Sequence, residues 1–525
     1  MKHHLWCLRG VSGVMAAVLL FFLAHPGYCG QNDPGRAKLL EKIGQMFIVG
    51  FRGTEISEDS YIVKVLNEVQ PGGVILFDYD VPSKSFPRNI VNPDQTRKLI
   101  SDLQEYSSHP LFIAVDVEGG RVNRLKERYG FSSFPGAEEL GKNDNLDETK
   151  QTAKQIGKNL AWLGFNVNFA PVVDVNVNPD NPVIGSLGRS FSFDPEKVFL
   201  HASAFIEGLH SCNIISTLKH FPGHGSSFHD SHLGMVDVTK SYQEKELVPY
   251  KKLIAGGFSD MVMTAHIVDR YIDPDFPATL SPLFISELLR GEIGFKGVVV
   301  SDDMHMGAIV QNYGFAEAIV RAVNAGVDLL IISNNGESYE EEAIYEAQRA
   351  IVEAVEDGVI SPTRIDESYE RIRELKARFF QPDFFVQECL HANTNQLIQF
   401  ISAAVKEIEI LGEQAFSQFR EKNGRWFYDD TYIFVWGIDG MRYVYPPDVT
   451  GEGSNMCHLE DVDGRAIGKM FVEVATSPAG QGWVHYRWPK PGEDEPIWKA
   501  TFIKRAVSSP SGTNYLVGSG YYVDS

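Results

Sequence analysis

The sequence predicts an α/β fold: a (β/α)8 barrel of the TIM type, followed by a smaller α+β domain built on an antiparallel sheet. Three observations carry this. Between residues 38 and 380, eight short β-branched runs alternate with stretches of helical period. The runs are almost continuously apolar, as strands buried on both faces of a sheet must be. Beyond residue 380 the alternation stops, and short strands separated by Gly and Pro turns replace it. A closed barrel is the simplest arrangement of eight such units, with an open doubly wound sheet as the rival.

Taken in order, residues 1–29 read as an address. Lys2 and Arg9 give a positive start, residues 11–24 are almost wholly apolar, and Gly27-Tyr28-Cys29 closes the segment as a secretory signal peptide does. The apolar run is about 14 residues, against the roughly 20 that cross a bilayer. Cleavage before Gly30 is expected, giving a periplasmic or secreted protein with no stable membrane span after cleavage. Tyr28 stands where a lipoprotein signal has a small residue before its lipidated cysteine.

The strand candidates are 45–49, 73–77, 111–116, 167–172, 214–220, 261–266, 297–302 and 327–333. Helical patterns lie between them, at 149–163, 195–209, 314–325 and 339–357 among others. A charged helix end at 371–378 is broken by Gln381-Pro382. The barrel is therefore set at 38–380, a linker at 381–395 and the second domain at 396–525. A helical pattern from 396 to about 420 leads that domain, which holds five of the seven Trp: Trp426, Trp436, Trp483, Trp488 and Trp498.

Composition bounds the function. Apolar residues at 43% and charged residues at 22% suit a globular chain. Lys and Arg number 48 against 69 Asp and Glu, a net charge of −21, so no basic footprint for nucleic acid exists. A neutral or cationic partner fits better.

Reactive side chains of a (β/α)8 barrel sit at the C-terminal ends of its strands. The third strand ends in Asp116-Val117-Glu118-Gly119-Gly120-Arg121-Val122-Asn123-Arg124, and the fourth is followed by the stretch from Asn178 to Arg189. The fifth ends Lys219-His220-Phe221-Pro222-Gly223-His224-Gly225 and runs on to Asp230-Ser231-His232. The sixth ends at His266 and the seventh at Ser301-Asp302-Asp303. Polar groups from five strands thus converge on one mouth. A metal reading of His220, His224, His229, His232 and Asp230 finds no familiar ligand spacing, and Pro and Gly between them forbid an aligning helix. Acid–base and nucleophilic chemistry is the other reading. Asp302 can aim a carboxylate at a substrate carbon, while Asp230 and His232, two residues apart, can form a carboxylate–imidazole pair that donates and retrieves a proton. Asp303 is expected to cap the helix starting near Met304, and His266 to be a satisfied core histidine.

The ordered stations Ile43-Gly44-Gln45-Met46, Gly72 to Phe77, Asp116 to Arg124, Asn181-Pro182-Val183-Ile184-Gly185, Arg189-Ser190-Phe191, Lys219 to Gly225 with Asp230-Ser231-His232, and Ser301-Asp302-Asp303-Met304 resemble the β-N-acetylglucosaminidases of glycoside hydrolase family three over residues 38–375. The resemblance implies Asp302 as nucleophile of a covalent glycosyl-enzyme and His232, oriented by Asp230, as acid/base. It implies Asp116, Arg124, Arg189, Lys219 and His220 as the residues that hold the terminal sugar, with no cofactor and no metal. A His in place of the usual second carboxylic acid sets aside the carboxylate-separation rule. Ser226-Ser227 departs from the family's common Asp-Thr, and the α/β sandwich that many members carry after the barrel is missing.

The tail resembles a single Cache sensor domain with its PAS-like antiparallel sheet. The matching residues are Val435-Trp436-Gly437-Ile438-Asp439-Gly440, Asp461-Val462-Asp463-Gly464, Trp483 to Pro489 and Gly518-Ser519-Gly520-Tyr521-Tyr522. This implies a small-molecule ligand in the C-terminal domain. The whole reads as an exported, retaining exo-β-N-acetylglucosaminidase acting on peptidoglycan fragments (muropeptides) or chitooligosaccharides. A catalytically silent sugar-binding sensor and a GlcNAc phosphorylase are the alternatives.

Overall fold

The computed structural model describes residues 34–523, except 232–233, 337, 381–393, 423, 429–430, 491–494 and 509. The signal segment, most of the linker and His232 lie outside the described residues. Eight parallel strands close into a barrel: β1 (Phe47–Gly50), β2 (Gly73–Ile75), β3 (Phe112–Val115), β4 (Val167–Asn168), β5 (Ile215–Phe221), β6 (Met261–Thr264), β7 (Val298–Asp303) and β8 (Leu329–Ile332). Ile48 stands opposite both Gly73 of β2 and Ile331 of β8, so the sheet has no edge and the open-sheet rival is excluded. Most strand residues are fully enclosed, which is why the runs read as continuously apolar.

Local chemistry sets the element ends. Asn145 caps Leu146–Leu163 by accepting the N–H groups of Asp147 and Glu148, so this helix begins three residues before its apolar pattern does. Asp194 and Pro195 start Pro195–His210 in the same way. The fourth strand is shorter than its apolar run. Pro171 has no N–H to give the ladder, and pairing resumes only at a single bridge between Val172 and Lys219. Two strands shift register near their C-terminal ends, β5 between Leu218 and Phe221 and β7 between Val300 and Asp303. At the second shift the Ser301 hydroxyl accepts the N–H of Ile331, a ladder bond made by a side chain. Such bulges re-aim side chains, and these two carry Lys219, His220 and Asp302.

The second domain packs Thr394–Leu411 on one face of a five-stranded antiparallel sheet and Ile467–Thr476 on the other. Its strands are β9 (Phe434–Gly437), β10 (Arg442–Val444), β11 (Gln481–Pro489), β12 (Pro496–Val507) and β13 (Asn514–Val523), in the order β10-β9-β13-β12-β11. The leading helix stops well short of residue 420. Gly412 takes a left-handed φ of 61°, and a short turn and a separate helix, Phe416–Phe419, follow it. Against the barrel, the Arg97 guanidinium lies over the rings of Trp162 and Trp483, 5.1 and 5.3 Å from their centroids. A cleft of about 530 Å³ opens beside this contact, lined by Ser107 to Pro110 from the barrel and by Gln481, Trp483 and Lys504 from the domain. Residues 107–110 lead into the start of β3, so the second domain meets the barrel at the end remote from the polar strand ends.

Candidate active site

A cavity of about 350 Å³ sits at the C-terminal ends of the strands. Its lining includes Asp116, Arg124, Arg189, Lys219, His220, Asp230 and Asp302. Seven of the eight residues singled out in the sequence therefore share one wall-to-wall space, from the ends of β3, β4, β5 and β7; the eighth, His232, is outside the described residues. Apolar side chains, including Ile75, Phe77, Phe169 and Met306, complete the lining.

The polar groups are ordered by three buried carboxylates that sequence reasoning did not single out as site residues. Glu118 is the first. Its two oxygens accept the Arg189 fork at 2.7 and 2.8 Å, and Lys219 Nζ lies 2.7 Å from Oε1 and 2.8 Å from Asp116 Oδ1. Burial alone would push the Glu118 carboxyl up, but Arg189 and Lys219 outweigh it and hold the group well below the usual carboxylate range. Burial likewise opposes the Lys219 charge, and Asp116 and Glu118 reverse that and raise it. Glu118, Arg189 and Lys219 are thus held in their charged forms, with Asp116 and Lys219 lining the cavity as an acceptor and a donor for hydroxyl groups. Arg124 reaches the same carboxylate more loosely, at 3.7 Å from Asp116 Oδ2.

Asp174 is the second. It is fully buried and accepts three N–H groups from the end of β5 and the turn after it: the His220 amide at 3.1 Å, His220 Nδ1 at 2.7 Å and the His224 amide at 2.7 Å. Burial works against its charge, yet the His220 contacts keep its carboxyl below the ordinary value. With Nδ1 held, His220 presents Nε2 3.3 Å from Arg189 at the cavity wall. A lone Asp inside the apolar run Pro171-Val172-Val173-Asp174-Val175 was the available signal.

Glu246 is the third, behind the same turn. One oxygen accepts the Ser226 amide at 3.2 Å, the other the Gln243 amide at 3.2 Å. The Tyr242 hydroxyl donates to the Pro222 carbonyl at 3.0 Å. A Cβ on Gly223, whose φ is 135°, would come within 2.7 Å of Glu246 Cβ, so this turn accepts only glycine there. Ser226 and Ser227, the departure noted in the sequence, are buried. The Ser227 hydroxyl lies 2.8 Å from His224 Nδ1 and accepts from Asn181 Nδ2 at 2.9 Å. The loop that leads to Asp230 is therefore pinned at its base from front and back. No sequence signal marked Glu246, which reads as one of several charges in a helix start.

Burial pushes the Glu246 carboxyl up to about 7, while an unfolded Glu titrates near about 4.3. Between those values the folded protein binds more protons than the unfolded chain, so stability falls as pH rises through this window. Glu246→Gln is expected to flatten that fall by on the order of 3 kcal/mol. Urea unfolding followed by Trp fluorescence between about pH 4.5 and 7.5 measures it; an unchanged slope would refute the assignment.

Asp302 is half-buried and accepts the Asp303 amide at 2.8 Å. Asp303 does not cap a helix, because the next helix, Gly307–Tyr313, starts beyond it at Met306. It instead accepts the amides of His305 and Ser333, at 3.2 and 3.0 Å, together with the Ser333 hydroxyl, and so ties the end of β7 to that of β8. His266 is fully buried, with Nδ1 2.8 Å from the Thr279 hydroxyl and Nε2 3.0 Å from the Asp303 carbonyl oxygen, and lies under the site as a core residue. Among the described residues no three His, Cys, Asp or Glu side chains are grouped to hold a metal ion. Burial lowers His224 to about 4, so it is neutral at physiological pH.

A family model described as the glycosyl hydrolase family 3 N terminal domain matches residues 38–375, and one described as a Cache domain matches 321–525. The second match runs back over β8 and its following helices, which the fold assigns to the barrel. A β-hexosaminidase of Tolumonas auensis is 39% identical over 277 residues, covering 52% of this chain and 78% of that protein. The structure of a glycoside hydrolase family 3 β-N-acetylglucosaminidase from Paenibacillus sp. str. FPU-7 superposes with a TM-score of 0.60 at 39% identity, covering 65% of this chain and 62% of that one. A β-N-acetylhexosaminidase from Beutenbergia cavernae gives 0.58 at 29% identity, covering 65% and 98%.

Proposed function

This chain belongs to glycosyl hydrolase family 3, and on that premise we propose that it removes terminal β-linked N-acetylglucosamine from oligosaccharides, with retention at C1. The observation that carries the proposal is that Asp302, Asp230 and the Asp116–Lys219–Arg189 cluster line one cavity. The space lies at the small end of ligand cavities, which run from about 300 to 1,000 Å³. Room of that size suits one sugar ring and its substituent, and so cleavage from a chain end.

In the proposed reaction an Asp302 carboxylate oxygen attacks C1 as His232 protonates the departing glycosidic oxygen. The resulting ester is hydrolysed when His232, oriented by Asp230, takes a proton from water that attacks C1. Asp116, Lys219, Arg124, Arg189 and His220 hold the sugar hydroxyls and acetamido group during both steps. Movement of the loop that carries Asp230 and His232 gates the cycle. Peptidoglycan fragments are the proposed substrates, with chitooligosaccharides second, and export through residues 1–29 brings the enzyme to them. The C-terminal domain is proposed to hold a small ligand.

Proton NMR of the first turnovers on 4-nitrophenyl β-N-acetylglucosaminide tests the reaction. The β-anomer of free N-acetylglucosamine is expected first. Initial α-anomer would exclude retention, sugar 1-phosphate formed in phosphate buffer would make the enzyme a phosphorylase, and no release at all would leave a sugar-binding protein.

A further inference from the structure

We infer that the cleft between the barrel and the second domain is a second saccharide site, remote from Asp302, that takes an uncharged disaccharide. It opens on the face of the sheet that carries Thr394–Leu411, beside the turn that leads into β3. Its volume of about 530 Å³ is half as large again as the 350 Å³ of the catalytic cavity. That smaller space suits one sugar ring, so the larger one has room for two. Trp483 and Phe502 supply its aromatic wall. The indole is held in place by the Arg97 guanidinium, 5.3 Å from its centroid, and by the Phe502 ring at 5.1 Å. A fixed ring of this kind offers the flat apolar surface that the C–H face of a pyranose covers.

The polar lining is mostly neutral, and much of it is uncommitted. The side chains of Ser101, Ser108, Gln399 and Gln481 line the cleft and make no hydrogen bond with any described residue. Gln104 shows the contrast: it lines the same cleft, but both ends of its amide are spent on the backbone of Leu111, at 3.0 Å each. A Gln amide brings two donors and an acceptor oxygen, and a Ser hydroxyl plays either role. That mixed set matches the hydroxyls of a sugar, which also donate and accept. Ser101 and Ser108 belong to the barrel, Gln399 and Gln481 to the second domain, so an occupant bridges the two.

The ionisable groups of the lining do not select an ion. Lys504 Nζ donates to the Ser402 hydroxyl at 3.0 Å, burial lowers it below its ordinary value, and Glu409 acts on it through space. His109 lies 3.8 Å from Glu41. An anion entering the cleft meets the Glu105 carboxylate, and a cation meets Lys504. The inference is independent of the glycosidase assignment, which nitrophenol release by the wild type tests separately.

Trp fluorescence of the full-length Asp302→Ala protein, in which the sugar is not consumed, tests it by titration with N,N′-diacetylchitobiose and with cellobiose. The catalytic cavity has no Trp among its described lining residues, so the signal reports on the cleft. A saturable change is expected with at least one disaccharide, and at least tenfold weaker binding once Gln399→Ala and Gln481→Ala are added together. The added pair is expected to melt with its parent, because neither amide holds anything in the fold. Sodium acetate, sodium phosphate and arginine are the charged controls. A saturable change with a control but with neither disaccharide, no saturable change at all, binding weakened less than tenfold by the Gln pair, or a pair that melts several degrees lower would each overturn the inference.

Discussion

Replacing Asp302 with alanine is expected to lower kcat for 4-nitrophenyl β-N-acetylglucosaminide by on the order of 10⁴-fold or more, with the variant melting within a few degrees of the wild type. The size of the effect follows from the role: without the carboxylate no bond forms to C1, and the remaining groups only bind and protonate. The small effect on stability follows from position. Asp302 stands half-buried at a bulge where the strand is held by other side chains, Ser301 through the Ile331 amide and Asp303 through Ser333. The identity of the product separates a nucleophile from a mere anion in the pocket. Added azide is expected to restore activity to Asp302→Ala and to give the α-glycosyl azide, since azide enters the vacated space on the face the carboxylate occupied. A His232→Ala variant in azide is expected to give the β-glycosyl azide instead, from attack on the ester. Retention of more than about a tenth of wild-type kcat in Asp302→Ala would remove it from the chemistry.

How much of this was legible in the sequence depends on whether a residue breaks a pattern. Apolar runs that end in Asp, His or Lys announce both a buried strand and a polar mouth, so Asp116, Lys219, His220 and Asp302 could be found from position alone. The cavity brings them together with Arg124, Arg189 and Asp230. Asp174 interrupts an apolar run and Glu246 breaks no pattern, and neither shows by itself what it holds. The first sits within an apolar run and the second among helix-start charges, and only their burial against the 220–227 turn reveals what they hold. Asp303 was misread because Asp before a helix is a cap in most chains, whereas here the bulge in β7 turns it toward Ser333. The leading helix of the second domain was read too long because its apolar period continues past Gly412, whose left-handed backbone ends it.

Glu118→Gln is expected to cost about 3–5 kcal/mol of stability at neutral pH, the usual penalty for removing one partner of a buried charge network, and to raise KM more than it lowers kcat. A neutral amide can accept one hydrogen bond from Arg189 or Lys219 but turns a donor toward the other. The two cations that Glu118 bridges then lose their shared counter-charge, leaving Lys219 on Asp116 and Arg189 on the Val183 carbonyl, and both drift from the positions that face the sugar. The pH dependence gives an independent check. Because the Glu118 carboxyl is held below its unfolded value, its contribution is complete above the unfolded Glu pKa of about 4.3 and is lost progressively as pH falls below it. The gap in unfolding free energy between wild type and Glu118→Gln should therefore be constant from about pH 5 to 7 and narrow in acid. A gap that widened in acid would mean that the Glu118 carboxyl is held up rather than down. A gap of less than about 1 kcal/mol at pH 7, the size of an exposed pair, would mean that Arg189 and Lys219 are solvated and that the cluster does not fix the sugar-binding groups.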